Sequence, residues 1–380
     1  MKTFDVAIIG SGPAGASAAL KLAENNISTV IIEKETLPRY KTCGGGFAYK
    51  GRRKMPFDVS SVVEKEFFRV DAFFQKIGVH VTAERDEPVI SMVMRDDFDK
   101  FLVDKAKEEG ITLLENHKLK KITFEDDITL HTTQGDVKTK FVIAADGALS
   151  ATAKLTGWEE TRLLIPALEY EVEVTPEDFE RLSKSVRLDF DAIPMGYGWC
   201  FPKKNHLSIG LASFRRVKVD FKKLYREYMT DTLGITEVVS ETMHGFQIPV
   251  TPRTDGCVRK NVFLVGDAAG FADPLTAEGI SNAIFSGIMA AESIVESNLD
   301  EKLAEELYNS KLNSSLIPEL KTGERLSRLF YDNEKIRNFL IKKYGDRICD
   351  GMTQILMGER TYPTDVMKKI KKKLRKAIFS

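Results

Sequence analysis

At 380 residues with 43% hydrophobic residues, the chain is long enough for two domains with full-sized cores, which excludes a disordered or fibrous protein. Lys+Arg and Asp+Glu both number 56, so the balanced charge gives no general attraction to nucleic acid and no such partner is expected. Cysteines at 43, 200, 257 and 349 have no CxxC spacing and the histidines form no HExxH, which argues against a metal centre, an iron–sulfur cluster or a disulfide framework.

Residues 4–34 read as an apolar strand, a glycine turn, an Ala/Leu-rich helix and a second apolar strand ending in an acid, which makes a βαβ unit. Gly10, Gly12 and Gly15 have the G-x-G-x-x-G spacing. Gly10 suits the tight turn, Gly12 lets backbone approach a pyrophosphate, and Gly15 lets the helix pack closely on the strand. Pro13 and Ala14 open the helix, whose free N–H groups point at the phosphates. Glu33 stands 18 residues after Gly15 (33 − 15), where a carboxylate can accept both hydroxyls of an adenosine ribose. A 2′-phosphate would be repelled there, so NADP is disfavoured as the resident nucleotide, while FAD and NAD are not separated by this stretch. Lys2 before an apolar run has the outline of a secretory leader, but the glycine turn and Glu33 explain that run as a nucleotide fold. With no run of about 20 apolar residues to span a membrane, the expectation is a cytoplasmic protein.

After Lys34, residues 37–46 form a basic loop with Arg39, Lys41, Cys43 and the consecutive Gly44, Gly45 and Gly46. Such backbone can lie flat against something large and planar, or serve as a plain surface turn. Residues 60–90 supply Val62, Phe67, Phe68, Val70, Phe73 and Phe74 to a sheet or a lid. Arg95 opens an amphipathic helix with Phe98, Phe101, Leu102 and Ala106 at helical spacing, ending at Gly110. Residues 111–114, 118–124 and 128–133 alternate as a meander, and a buried strand from Phe141 runs into Asp146 and Gly147. That turn sits where doubly wound folds bind ligands, with an ordinary Asp-Gly turn as the alternative.

Between 164 and 256 the alternation lengthens, with strands at 167–174, 186–190, 197–202 and 206–212, as expected of a separate antiparallel sheet inserted into the nucleotide fold. Tyr197, Trp199 and Phe201 crowd one short strand, a pattern that a packed core strand also gives. The nucleotide fold then returns: a strand at 261–265 delivers Gly266 and Asp267 into a small-residue turn. Pro274, Glu278 and Gly279 follow, leading into a long helix from Ile280 to Ser297 whose N-terminus aims at the same pocket. Near the end, Val366, Ile370, Leu374 and Ile378 recur every four residues among seven basic side chains. This amphipathic helix either docks on anionic membrane or covers the domain as a solvated basic face.

Together, GSGPAG with Glu33, Asp146-Gly147 and VGDAAGFADPLTAEGI resemble the flavoprotein superfamily of aromatic hydroxylases. Within it, the segment from Arg39 to Gly46 and the segment from Tyr197 to Lys203 resemble the CGGG-type loop and the YxWxFPK motif of the geranylgeranyl reductase family. The resemblance covers residues 1–300. It implies an α/β fold: a Rossmann-like FAD-binding domain (1–160 and 257–300, with 55–90 packing partly on the substrate domain) and an inserted antiparallel-sheet substrate domain (161–256); beyond the resemblance, a helical C-terminal region (301–380) is expected. It assigns Glu33 to the adenosine ribose, Arg95 to the nucleotide phosphates, Asp267 to the ribityl chain, and the backbone from Pro274 through Gly279 and Ile280 to the isoalloxazine. Lys34, Arg39, Asp146, Gly147, Gly266 and Glu278 complete the expected FAD contacts. Cys43, Gly44 and Gly45 would face the flavin where substrate enters, and Tyr197, Trp199 and Phe201 would wall the substrate tunnel.

The implied activity is reduction of isolated double bonds in geranylgeranyl or other prenyl lipids, with electrons from NAD(P)H or a ferredoxin-like protein. Cys43 is the first candidate for the proton donor, with passive packing as the alternative. One rival is a flavin monooxygenase or hydroxylase on the same fold, although the paired-tryptophan motif of halogenases is absent, Trp158 and Trp199 being 41 apart (199 − 158). The other is a flavoprotein that passes electrons to a quinone. The basic C-terminal helix is the expected peripheral contact with the inner face of the membrane.

Overall fold

Five apolar segments that are too short and too β-branched for helices line up as parallel strands in the computed structural model, which describes residues 2–363. Lys2–Ile9 lies between Gly135–Ala144 and Thr29–Ile32, with Val262–Leu264 beyond the first and Thr112–Leu114 beyond the second. Their register decides where the motifs go. Ile9 stands opposite both Ile32 and Ala144, Ala144 opposite Leu264, and Ile32 opposite Leu114. The next residues of three of these strands, Gly10, Glu33 and Ala145, therefore leave the sheet side by side at its carboxyl edge, with Gly266 close by. The hairpin Leu119–Phe124 and Ile128–Thr132 extends this eight-stranded sheet from the Gly135–Ala144 strand.

The helix Pro13–Ala23 starts on proline, whose fixed φ suits the first turn. Ala14, Ala16, Ala18 and Ala19 are all buried, because a second helix, Ile280–Glu296, crosses this one at very short range. A Cβ on Gly287 would stand 2.2 Å from the Ala14 carbonyl oxygen. Small side chains on both helices thus bring two helix N-termini together. Helix Arg95–Glu108 covers a neighbouring face with Phe98 and Leu102, both fully buried; each such side chain contributes about 1.5–3 kcal/mol.

The second sheet has seven strands in the order Val238–Pro249, Leu164–Val174, Leu207–Ser213, Gly196–Pro202, Val186–Asp189, Arg69–Phe74, Val79–Glu84. It is antiparallel except where Val186–Asp189 runs parallel to Arg69–Phe74. The long edge strand Val238–Pro249 was not legible in the sequence, since its residues are exposed or half-buried with one exception, and its polar and apolar side chains give no regular alternation. One face of this sheet packs Tyr170, Val172, Ile209 and Leu211 against Tyr225 and Tyr228. The other carries Tyr197 and Trp199 and meets Tyr331 and Leu275. A three-stranded sheet, Gly46–Ala48, Ile90–Val93 and Val63–Phe67, fixes the far end of the glycine-rich loop. Helices Glu301–Ser314, Leu316–Asp332 and Glu334–Met357 complete the described chain. No helix among the described residues is long and apolar enough to cross a membrane. The basic segment 366–379 lies outside the described residues.

Candidate active site

The glycine turn separates into parts that serve the protein and a part that is open. Gly10 has φ +101° and a Cβ there would fall 2.5 Å from the Ala145 carbonyl oxygen; one on Gly15 would fall 2.1 Å from that of Gly10. Gly12 differs: its nearest neighbours are Arg95 Nη2 at 3.8 Å, Arg39 Nη2 at 3.9 Å and Asp99 Oδ2 at 3.9 Å. Nothing of the fold requires glycine at 12. The cradle beside it, with the free N–H groups of the helix behind and two guanidinium groups in front, suits a pyrophosphate. Asp99 sets both arginines, accepting from Arg95 Nε at 2.8 Å and Arg39 Nη1 at 3.1 Å.

Glu33 is buried beside this turn and accepts from the Ser11 and Glu35 backbone N–H groups, each at 3.0 Å. Burial alone would raise its pKa, but the Arg39 charge and the hydrogen bonds from Ser11 and Glu35 overcome it and hold the carboxyl below its ordinary value. It is ionised, and Oε1, which takes only the Glu35 N–H, keeps a lone pair for a ribose hydroxyl. Asp267 stands across the edge, one oxygen 3.7 Å from where a Gly279 Cβ would be. Among the described residues nothing donates a hydrogen bond to its carboxylate, so a polyhydroxyl chain can. Gly266, at φ +52°, packs against Ala14 and Ala283 and turns the chain so that Asp267 faces the cleft.

Three expected contacts have side chains engaged elsewhere. Lys34 points to solvent, 64% exposed beside Glu35, because it is the second residue past the strand Thr29–Ile32 and faces away from the inward Glu33. Asp146 spends its carboxylate on its own turn, accepting from the Thr152 N–H at 2.9 Å and the Thr152 hydroxyl at 2.8 Å. Next to it Gly147, at φ +78°, makes that turn feasible. Glu278 caps the helix that follows, accepting from the Ser281 N–H at 2.8 Å, and pairs with Lys50 at 3.3 Å.

The segment from Asp273 to Gly279 is held from three sides. Asp273 Oδ1 accepts from the backbone of Leu275 and Thr276, at 2.9 and 2.8 Å, and closes the turn around Pro274. Tyr362 donates to the same oxygen at 3.1 Å, Tyr331 to the Leu275 carbonyl at 2.8 Å and Tyr197 to the Thr276 carbonyl at 2.6 Å. The roles of Tyr331 and Tyr362 were invisible in the sequence, because a tyrosine in a helical region carries no sign of a partner over 50 residues away.

The glycine-rich loop lies across the aromatic face of the second sheet. A Cβ on Gly44 would come within 3.0 Å of the Phe201 ring and 3.2 Å of Trp199 Nε1. On Gly45, at φ +71°, it would collide with the Val93 carbonyl oxygen at 2.1 Å and Lys203 Nζ at 2.2 Å. Lys203, fully buried, donates to the carbonyls of Gly44 at 2.7 Å and Val93 at 3.0 Å. Further along, Tyr40 stacks on His244 at 4.0 Å and the Lys41 ammonium sits 3.9 Å over the Phe246 ring. Cys43 accepts from the Gly45 N–H at 3.4 Å, and the Arg95 guanidinium also reaches its sulfur. Lys203 closes the segment that begins at Tyr197, and only its burial in the fold reveals its role.

A glycine turn, an inward acid, two arginines and a second helix N-terminus on one sheet edge, facing an aromatic sheet, define a flavoprotein oxidoreductase site. Residues 3–189 match the FAD-binding domain family. The chain is 30% identical over 375 residues to the chloroplastic geranylgeranyl diphosphate reductase of Arabidopsis thaliana, covering 92% of this chain and 79% of that one. It is 25% identical to the digeranylgeranylglycerophospholipid reductase of Methanococcus vannielii, covering 94% of each. Among solved structures, a geranylgeranyl bacteriochlorophyll reductase-like protein of Thermoplasma acidophilum shares the fold with a TM-score of 0.77 at 22% identity, over 97% of this chain and 96% of that one. The flavin-dependent brominase Bmp2 shares it with a TM-score of 0.74 at 19% identity, over 99% and 100%. The protein is an FAD-dependent oxidoreductase, and it belongs to the geranylgeranyl reductase family.

Proposed function

We propose that the protein saturates isolated double bonds in the geranylgeranyl or other prenyl chain of a lipid. The observation that carries this reading is the dry aromatic strand Tyr197, Trp199 and Phe201 laid against the Cys43–Gly46 loop, beside the backbone that the Tyr197 hydroxyl holds. An isolated alkene has no carbonyl to polarise, so the site must bring a hydride and a proton to it. Bound FAD, in its reduced form, supplies the hydride. The residues of the chain do the rest. Arg39 and Arg95 neutralise the pyrophosphate, Glu33 and Asp267 take the ribose and ribityl hydroxyls, and the aromatic wall excludes water from the alkene. Cys43 is the proton donor in this reading: the Gly45 N–H and the Arg95 guanidinium both reach its sulfur. Either NAD(P)H or a ferredoxin-like protein reduces the flavin, and residues 161–256 serve as the substrate domain.

The test is anaerobic reduction of the purified holoprotein with dithionite, followed by geranylgeranyl diphosphate. Flavin reoxidation with a product gain of about two mass units per double bond is expected. Flavin that stays reduced with prenyl lipids, yet in air inserts oxygen into an added aromatic, would replace this reading with the monooxygenase one.

A further inference from the structure

Behind the aromatic wall lies a buried acid pair with no part in the scheme above. Alternation along Leu164–Val174 puts Glu169 and Glu171 on one face of the sheet. Register shows which face it is. Glu169 stands opposite Gly210 and His244, Glu171 opposite Ser208 and Thr242, while Gly210 and Ser208 stand opposite Trp199 and Phe201. The pair is therefore on the aromatic face, under the glycine-rich loop. Gly210 has no side chain, and its place is filled by the Trp199 indole, which a Cβ there would meet at 2.2 Å.

Glu169 is 2% exposed. Its Oε1 receives the Ser208 hydroxyl at 3.5 Å, which in turn accepts from Trp199 Nε1 at 3.3 Å. From the loop, the Tyr40 hydroxyl approaches the same oxygen at 3.4 Å, and Tyr40 itself is 41% exposed. His206 Nε2 lies 3.0 Å from Glu171 Oε2. One fully buried ammonium, Lys203, acts on both carboxylates. It can compensate one negative charge but not two, so the pair retains a proton. Burial and then the Glu171 charge push Glu169 up to about 8. Burial also opposes ionisation of Glu171, yet His206 and Lys203 bring it below its ordinary value.

We propose that Glu169 and Glu171 share one exchangeable proton and act as the proton store of the reaction, linked to the active-site loop and to solvent by Tyr40. This rests on the reductase reading. In each turnover the π bond breaks, one carbon takes a hydride and the other takes the proton of the Cys43 thiol. The thiolate is then recharged with the proton of Glu169, and the doubly ionised pair regains one from solvent through Tyr40, three residues before Cys43 in the same loop. The titratable groups facing the pair are Lys203, His206, His244 and Tyr40.

The experiment compares wild-type holoprotein with Glu169→Gln and Glu169→Asp. Without substrate, infrared difference spectra between about pH 6 and 9 should show a protonated carboxyl that is lost as pH rises, in wild type but not in Glu169→Gln. With dithionite as reductant and geranylgeranyl diphosphate as substrate, steady-state product formation in wild type should fall about tenfold per pH unit above about pH 8. Glu169→Gln should retain FAD, lose about tenfold or more in rate and lose that alkaline limb, and Glu169→Asp should restore part of both. A carboxyl band that survives in Glu169→Gln overturns the shared proton, and a wild-type rate with an unaltered alkaline limb overturns the store. Absence of product from wild type overturns the reductase reading and with it the store's role, while the infrared band still reports on the pair.

Discussion

Gly12 and Gly15 belong to one motif, yet their neighbours set different roles for them. A Cβ at 12 meets nothing of the protein nearer than 3.8 Å, whereas one at 15 lands 2.1 Å from the Gly10 carbonyl oxygen. Gly12→Val should therefore leave the melting temperature nearly unchanged and abolish FAD retention. Gly15→Ala should lower stability by about 1–3 kcal/mol, seen as a fall in melting temperature, by forcing helix and strand apart. If Gly12→Val stays yellow, the cradle is misassigned. Cys43→Ser bears on the proposed donor: a serine hydroxyl can accept the same Gly45 N–H, so FAD should stay bound while turnover falls about a hundredfold, the scale of a lost general acid. A rate near wild type would return Cys43 to packing. Glu169 carries a stability prediction as well. Its folded pKa of about 8 lies above that of an unfolded glutamate, so the folded state binds the extra proton between the two values. Wild type should thus lose a few kcal/mol relative to Glu169→Gln as pH rises from about 4.3 to 8 and no more beyond, measured by urea denaturation at a series of pH values.

The element whose shape depends most on others is the segment from Asp273 to Gly279. It has little regular structure, Ala277 sits at φ +60°, and three phenols from a strand, a helix and the C-terminal segment hold it. Tyr331→Phe and Tyr362→Phe should each cost about 1 kcal/mol by removing one buried hydrogen bond. If the segment lies along the isoalloxazine as proposed, FAD affinity should drop with them, and the double variant should weaken binding more than either alone. Titration of apoprotein with FAD measures this; affinities equal to wild type would place the segment away from the cofactor. The glycine-rich loop is set in a comparable way, but by a charge: Lys203 links Gly44 to Val93, and Lys203→Met would leave two carbonyls and Glu171 without their cation.

At the scale of the whole molecule, the site exists only where two sheets meet. The first provides the nucleotide edge; the second, with strands drawn from both 69–84 and 164–249, provides the wall. In the proposed reading a prenyl lipid reaches this junction from a bilayer, and the segment 366–379, outside the described residues, is the basic apolar stretch proposed to bring the protein there. Deleting residues 366–380 should reduce flotation with anionic vesicles and weaken its salt dependence, because several lysines contribute about 1 kcal/mol each near an anionic surface. Flotation equal to that of the full chain would remove this segment from membrane contact.

The sequence by itself determined the nucleotide half. Strand, turn and helix there are local, with proline at the helix start, alanines on the buried face and an acid at the strand end, so Gly10, Gly12, Gly15 and Glu33 could be read from spacing, while Asp267 took its expected role from the family resemblance. It also marked Tyr197, Trp199 and the Cys43–Gly46 loop as related motifs, although nothing in the spacing brought them together. Only the tertiary structure decided that Gly44 lies on Phe201 and that Lys203 is the pin beneath, because that contact spans 159 residues. It turned Asp146 and Glu278 to local capping, and it gathered Glu169, Glu171 and Tyr40 into one buried cluster. The physical reason is common to all of these. A periodic pattern records which face of an element is buried, but the energy of a buried charge or carbonyl depends on a partner that another part of the chain supplies.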